Sequence, residues 1–341
     1  MTINKEKDEK QELAKRLSRY SVKKKISTAL GLIFRYTILI CIGFIIITPI
    51  YTTFKEGITE QSMLGFGNSA WIPPATSWQS FWEAVLILEY PKGLIFSILN
   101  TLVLAFLQTA CAALAAYTFA RLKFKGSGLL FAIVIFSIIV PSQSIMLAQY
   151  TSFRNFDILG IFKLIKGEPL NLLGNTASMY ILAATGMGVK GGLYIYILRQ
   201  SYRQLPVSIE EAAYVDGAGF LKTFFKIVLP EVSSSLLTVT VLSFVWNYSD
   251  KYFISLLSGD LAKRRQLSLR LADVQSNMRW AIQDIQSKMP AEYVINWESP
   301  LIQKGVASAC AFLVILPLVI LYFFVQKRFI QGVERSGLGG D

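Results

Sequence analysis

Six apolar runs, each long enough to cross a lipid bilayer, constrain this chain more than any other feature of its sequence. A hydrocarbon core about 30 Å thick needs roughly 20 apolar residues of helix. Apolar residues make up 53% of the 341 positions and charged residues only 16%, a composition too apolar for an ordinary soluble domain. We therefore predict an all-α membrane protein with six transmembrane helices. The runs lie at residues 32–54, 94–119, 129–150, 178–200, 227–249 and 305–326.

The basic residues predict how these helices are oriented. Residues 1–30 hold nine Lys or Arg against four acids, and cytoplasmic segments carry an excess of Lys and Arg. The short loops at 121–125 and 199–203 are also basic, and alternation places both of them inside. Residues 250–304 hold eight Lys or Arg and fall outside, but long connections translocate largely regardless of charge. The predicted order is a cytoplasmic tail at 1–30, a first helix at 31–54, an extracytoplasmic loop at 55–93, a core of five helices at 94–326 that includes the outer loop 250–304, and a cytoplasmic tail at 327–341.

The composition excludes several chemistries. The chain has no histidine, which removes the commonest general base and metal ligand, so no catalytic and no metal site is expected. It has no Gly-Lys dipeptide, so no P-loop lysine is available to hold ATP phosphates. Its three cysteines lie in apolar runs and predict no disulfide. The net charge of +12 sits beside apolar runs, which favours a membrane surface over nucleic acid.

A short polar segment, "SIEEAAYVDG" at 208–217, interrupts the apolar pattern on the cytoplasmic side. Ser208 followed by Glu211 has the spacing of a capping box and predicts a helix start at Ser208. Asp216 and Gly217 predict its end, because glycine accepts the left-handed conformation of a helix C-terminus. The pattern places Ile209, Ala212 and Ala213 on one face, with Glu210 and Glu211 beside it. Such a helix is either a solvated connector or a short helix that docks into a cleft of another protein.

The spacing of this segment carries a resemblance. Glu211-Ala212-Ala213, then Gly217, then Ile227, then Leu229-Pro230 resembles the EAA loop signature of permease subunits of bacterial ABC importers. The stretches "NTLVLAFLQTACAALAAYTFARLKFKG" at 100–126, "VP" at 140–141 and "QKRFIQGVERSG" at 326–337 resemble the carbohydrate branch of that family, the MalG-like permeases. The resemblance covers residues 94–337.

The resemblance implies a fold and a set of partners. The implied fold is the type I importer permease, with six transmembrane helices and both termini cytoplasmic, in a bacterial cytoplasmic membrane. The implied partners are a second, homologous permease subunit, two ATP-binding subunits that use ATP and Mg, and an extracellular solute-binding protein that delivers sugar. The chain itself would bind no cofactor. The segment 208–217 would be the coupling helix, whose residues Ser208, Glu210, Glu211, Ala212, Ala213, Asp216 and Gly217 form the ATPase-coupling site.

Polar and aromatic side chains inside the apolar runs are candidates for a sugar path, because amides bind hydroxyl groups and aromatic rings cover the apolar face of a sugar. The alternative for each is a hydrogen bond to a neighbouring helix. Lys190, in "GMGVKGG", either lines the path in a broken helix or lies near the outer interface. The candidates are Gln108, Gln143, Lys190, Tyr194, Trp246, Asn247 and Tyr248, with Ser142 and Tyr196 beside them.

Three functions remain open at this point: an ABC importer permease for sugar or another solute, a gradient-driven transporter, and a membrane scaffold or receptor. Proton or sodium coupling predicts carboxylates inside the membrane. The six runs contain a single acid, Glu231, near the start of the fifth. This scarcity favours energy supplied by a partner ATPase.

Overall fold

The chain is helical in the computed structural model, which describes residues 2–65, 71–258, 265–276, 278–287 and 299–335. β pairing within these residues consists of two isolated bridges, Thr59 with Thr76 and Phe156 with Leu170. The helices are α1 Thr2–Ile58, α2 Gln79–Ile87, α3 Tyr90–Arg121, α4 Ser127–Ile139, α5 Ser142–Arg154, α6 Ile161–Lys166, α7 Ala177–Ala184, α8 Gly191–Gln204, α9 Val207–Val215, α10 Phe220–Thr223, α11 Leu229–Glu231, α12 Ser233–Ser249, α13 Tyr252–Leu257, α14 Leu267–Ser276, α15 Met278–Gln286 and α16 Pro300–Arg335.

Three helices in the described residues are long and apolar enough to cross a membrane. They are the Thr28–Ile58 part of α1, α3, and the Pro300–Gln331 part of α16. These confirm long helices over the first, second and sixth predicted runs. Most of the side chains between residues 28 and 47 of α1 are exposed, although Phe44 packs against Trp71 with ring centres 5.5 Å apart.

Two further runs form bent helix pairs. The third run is split into α4 and α5, which meet at an angle of 108°. Val140 is extended and Pro141 lacks the N–H that would continue the helix. The fifth run is bent by 78° between Phe220–Glu231 and α12, where a π turn over Phe224–Val228 precedes the bend. The break that Pro141 indicates in the third run is confirmed, whereas a straight helix over 227–249 is wrong. Each bent pair counts as one span only if the bend is included.

The fourth run is also not one helix. It forms α7 and α8, joined by a six-residue break in which Gly186 and Lys190 both have positive φ, +75° and +60°. A continuous helix over 178–200 is wrong, whereas a broken helix around Lys190 is confirmed. The break is tight, because a Cβ on Gly191 would lie 2.1 Å from the carbonyl oxygen of Gly186, and a Cβ on Gly192 would lie 2.3 Å from the hydroxyl of Ser137.

α3 is the central element of the bundle. It packs against α8 and α12, while α16 packs against α1, α2 and α12. The described part of the connection 250–304 also packs on its own chain. Leu267 and Val274 of α14 and Ile282 of α15 are buried in one cluster with Ile87 of α2 and Ala309 of α16.

Candidate coupling surface and substrate cleft

The polar segment between α8 and α10 forms the helix α9, but the start differs from the predicted one. α9 begins at Val207, with Pro206 at the N-cap and no capping side-chain hydrogen bond. The carbonyl of Pro206 accepts the first bond, from the N–H of Ile209 at 3.3 Å. Ser208 is thus already helical and its exposed hydroxyl cannot cap, so the predicted capping box with Glu211 is wrong.

The predicted end of α9 is confirmed. Asp216 is the C-cap and Gly217 has φ +77°, the left-handed conformation that only glycine adopts without strain. The N–H of Ala218 bonds to the carbonyl of Ala213 at 2.9 Å, and the N–H of Gly217 to that of Tyr214 at 3.0 Å. These two bonds form a Schellman motif, which fixes the end of the helix and the direction of the chain after it.

The two faces of α9 are divided differently from the sequence prediction. Glu210 and Ala213 are buried, at 6% and 4% exposure, and face the bundle. Ala212 and Glu211 are exposed. Ala212 and Ala213 therefore do not share a face, because neighbouring residues point about 100° apart around a helix. The outward face of this segment consists of Val207, Ser208, Glu211, Ala212, Tyr214, Val215, Asp216 and Gly217.

Glu210 ties α9 to the cytoplasmic end of α3. Its carboxylate pairs with the Nε of Arg121 at 2.6 Å and accepts a hydrogen bond from the hydroxyl of Tyr117 at 2.8 Å. Arg121 also donates to the carbonyl of Leu205, just before α9, at 2.7 Å. Because the pair is nearly buried, either charge left alone would be strongly unfavourable. We name Glu210, Arg121 and Tyr117 the α3–α9 tie.

Sequence reasoning did not find the partners in this tie. Tyr117 and Arg121 stand four residues apart at the end of an apolar run, and so lie on one helix face. This spacing indicates that the two side chains act together at the end of the helix, but it does not show which distant residue they bind.

A second candidate site lies where helix breaks converge. A cleft of about 390 Å³ opens between the α4–α5 bend, the α7–α8 break and the end of α12. It brings together three of the predicted path residues, Gln143, Lys190 and Trp246. The ammonium of Lys190 lies 5.0 Å from the centre of the Trp246 indole ring, within cation–π range. The other residues around the cleft are Pro141, Ser142, Val189, Ser249, Asp250, Lys251, Tyr252 and Phe253.

Gln108 and Asn247 lie in a separate polar cluster that joins α3 to α12. The amide Nδ2 of Asn247 donates to Oε1 of Gln108 at 2.9 Å, and the hydroxyl of Ser243 donates to the same oxygen at 2.5 Å. All three side chains are buried. This geometry is that of an interhelical hydrogen bond, the structural alternative for polar residues in apolar runs.

The two remaining path candidates do not border the cleft. Tyr194 is fully buried and packs in the cluster formed by α3, α8 and α12. Tyr248 is 1% exposed, and its hydroxyl donates to the carbonyl of Val314 on α16 at 3.1 Å. Their part in a path stays a prediction, since the structure places them between helices.

Comparison with known proteins decides the family. Residues 108–335 match the family described as binding-protein-dependent transport system inner membrane component. The chain belongs to this family. The match begins at the Gln108 cluster and includes α9 and the cleft, so both candidate sites lie within the family's own domain.

Individual relatives of this permease are found among transport proteins. It is 26% identical to the maltodextrin transport system permease protein MdxG of Bacillus subtilis, over 89% of this chain and 95% of that one. It is 28% identical to the alpha-glucoside transport system permease protein AglG of Rhizobium meliloti, over 84% of this chain and 67% of that one.

A solved structure shows the same fold. It is a bacterial ABC transporter involved in the import of the acidic polysaccharide alginate, matched with a TM-score of 0.59 over 89% of this chain and 98% of that chain. At 19% sequence identity, this likeness shows the fold alone.

Proposed function

We propose that this permease is the transmembrane subunit of an ATP-driven importer that moves a sugar or oligosaccharide from an extracellular binding protein into the cytoplasm. The observation that carries the proposal is α9, a short helix with a fixed end and an exposed face, held to the bundle by a buried ion pair. The family supports a transport role. The names of relatives, which include permeases for maltodextrin, alpha-glucosides and starch degradation products, support a carbohydrate substrate.

The proposed topology has six crossings, with both termini in the cytoplasm of a bacterial cell. α1, α3 and α16 supply three of them. The pairs α4–α5 and α10–α12 supply two more, and α7 with α8 supplies the sixth. This assignment is supported by the basic loops after α3 and α8, which alternation places on the cytoplasmic side.

In this proposal α9 is the coupling helix. Its outward residues, among them Glu211, Ala212 and Asp216, contact one of two ATP-binding subunits, which hydrolyse ATP with Mg. Glu210 and Ala213 face the bundle and hold α9 in position against α3. Closure of the ATPase pair then moves α9 as a rigid body, a switch between access states shared with a second permease subunit. The chain carries no ATPase site of its own.

The test is uptake by the reconstituted importer. The permease, its companion permease and the ATPase pair are placed in proteoliposomes with ATP and Mg inside and the sugar-loaded binding protein outside. We expect uptake that requires both ATP and the binding protein, and that persists when ionophores collapse proton and sodium gradients. Uptake that stops with the ionophores and continues without ATP would support a gradient-driven transporter instead.

Cross-linking tests the proposed role of α9 directly. A cysteine at Val215, which is 88% exposed, should trap the ATPase subunit in a chain whose three native cysteines are replaced. Lys163 lies on α6, which the topology places outside, and a cysteine there serves as the matched control. Cross-linking from Lys163 but not from Val215 would contradict the proposed orientation.

A further inference from the structure

The cleft between the α4–α5 bend, the α7–α8 break and α12 contains two lysines, each next to an aromatic ring. Lys190 lies over Trp246 at 5.0 Å, and Lys251 lies over Tyr252 at 5.4 Å. Hydroxyl and amide groups of Ser142 and Gln143 stand beside them. Aromatic rings with hydrogen-bonding groups suit a saccharide, and the paired ammonium groups add a preference for negative charge.

Beyond these ring contacts, neither ammonium forms an ion pair within the described part of the chain. Lys190 and Lys251 have no carboxylate within ion-pair distance among the described residues, although Asp250 borders the same cleft. The carboxylate of Asp250 instead accepts the backbone N–H groups of Tyr252 and Ile254, at 3.1 Å and 3.3 Å, at the start of α13. The charged residues around the cleft therefore leave it with a net positive charge.

Fold stability alone would not favour a lysine at position 190. Its φ of +60° is one that glycine adopts more readily, and it lies in a glycine-rich stretch. It also sits at the N-terminus of α8, where the helix dipole disfavours a cation. A strained residue with an unmatched charge at a cleft points to a role in binding.

We propose that this cleft selects an anionic saccharide, one that carries a carboxylate or a phosphate, and that Lys190 binds the anionic group while Trp246 covers the sugar ring. The proposal rests on the proposed function, since it names the class of sugar that the importer carries. Lys251 with Tyr252 forms a second contact of the same kind at the rim of the cleft. A charge-assisted hydrogen bond is stronger than a neutral one, which gives Lys190 its discrimination between charged and neutral sugars.

The experiment measures uptake of three probes of equal length by the reconstituted importer with its binding protein. The probes are trigalacturonate, maltotriose phosphorylated at a primary hydroxyl, and unmodified maltotriose. We expect uptake of at least one anionic probe, and a decrease of about tenfold or more for that probe in Lys190→Gln. Lys190→Arg should retain most of the uptake, and Lys163→Gln, on α6, is the matched control for loss of a lysine charge. The probe that responds tells whether the anionic group is a carboxylate or a phosphate.

Three outcomes would overturn the proposal. Uptake of maltotriose alone would leave the importer a sugar transporter and refute the anionic preference. If wild type and Lys190→Gln carry an anionic probe equally well, Lys190 does not bind the substrate and only extends its ammonium to the membrane interface. If no probe enters with the wild type while a solute that is not a saccharide drives ATP hydrolysis, the sugar importer itself fails, and this proposal fails with it.

Discussion

Removal of the Glu210 carboxylate tests whether the α3–α9 tie holds the proposed coupling helix in place. The two side chains of the ion pair are only 11% and 8% exposed, for Arg121 and Glu210. Breaking a buried pair by removing one partner costs about 3–5 kcal/mol, because the other charge is left uncompensated. Arg121 keeps its bond to the carbonyl of Leu205, so we expect the lower end of this range, about 3 kcal/mol, for Glu210→Ala.

The assay is hydrogen exchange of the α9 amides in the full-length permease without its ATPase subunits, so that no proposed contact covers Glu211. Exchange through local opening reports the free energy that holds a segment in place. A loss of about 3 kcal/mol corresponds to exchange roughly a hundredfold faster, since each 1.4 kcal/mol is about a factor of ten. Glu211→Ala is the matched control, because its carboxylate is exposed and a surface substitution changes stability by about 0.5 kcal/mol or less.

The double variant Glu210→Ala with Arg121→Ala separates the ion pair from general packing. Removing both charges removes the buried unpaired guanidinium, so we expect the double variant to be less destabilised than the sum of the two single variants. The reasoning is refuted if Glu210→Ala exchanges within about twofold of Glu211→Ala. Additive effects in the double variant would show that the two charges do not depend on each other.

Three other predictions concern the coupling contact, the helix break and a buried acid. Two substitutions should leave membrane insertion intact and abolish ATP-driven uptake: Glu211→Lys, which reverses an exposed charge, and Gly217→Pro, because proline cannot adopt a φ of +77°. Unchanged uptake in both variants would show that α9 is a simple connector. Gly191→Ala should prevent assembly of the complex, because a Cβ there would overlap a backbone carbonyl oxygen. Gly31→Ala, whose Cβ would meet nothing within 4 Å, should assemble normally. Size-exclusion chromatography measures assembly of both variants. Burial raises the pKa of the Glu83 carboxyl above its usual 4.5, so the folded state binds this proton more tightly than the unfolded chain. The Tm of the wild type should therefore fall relative to that of Glu83→Gln as the pH rises above about 4.5. A constant difference in Tm between pH 4 and pH 8 would contradict this prediction.

The parts of the fold that follow from local pattern were predictable. Long apolar runs predicted α1, α3 and α16, although Pro49 and Pro317 lie inside the first and the last of these helices, and Gly217 predicted the end of α9. Pro141 and the glycines around Lys190 indicated breaks, but an apolar run alone does not tell a straight helix from a bent pair. The bend before α12 follows a π turn over Phe224–Val228, which an apolar pattern does not reveal.

The contacts that build the two candidate sites were not predictable from one sequence. Glu210 and Arg121 are 89 residues apart, and helical periodicity shows neither which face of α9 meets α3 nor which residue pairs across the contact. The same holds for Lys190 and Trp246, which come together because α8 and α12 pack on each other and on α3. Residue types in apolar runs indicated candidates, and tertiary packing then separated those at a cleft from those that join helices.

α3 contacts both α9 and the cleft end of α12. Its cytoplasmic end holds α9 through Tyr117 and Arg121, and Gln108, nine residues before Tyr117, binds Asn247 on α12. At 1.5 Å per residue these contacts are about 14 Å apart along one unbroken helix. In the proposed mechanism α3 and α8, which are unbroken helices, transmit a displacement of α9 as rigid bodies, because packed helices shift between discrete arrangements rather than deform continuously. The α4–α5 bend and the α7–α8 break can absorb a displacement locally. Asn247 is next to Trp246 in the cleft, so α3 and the end of α12 form one described connection between α9 and the cleft. α8 forms a second, because it runs unbroken from Gly191 beside the cleft to Gln204, just before α9.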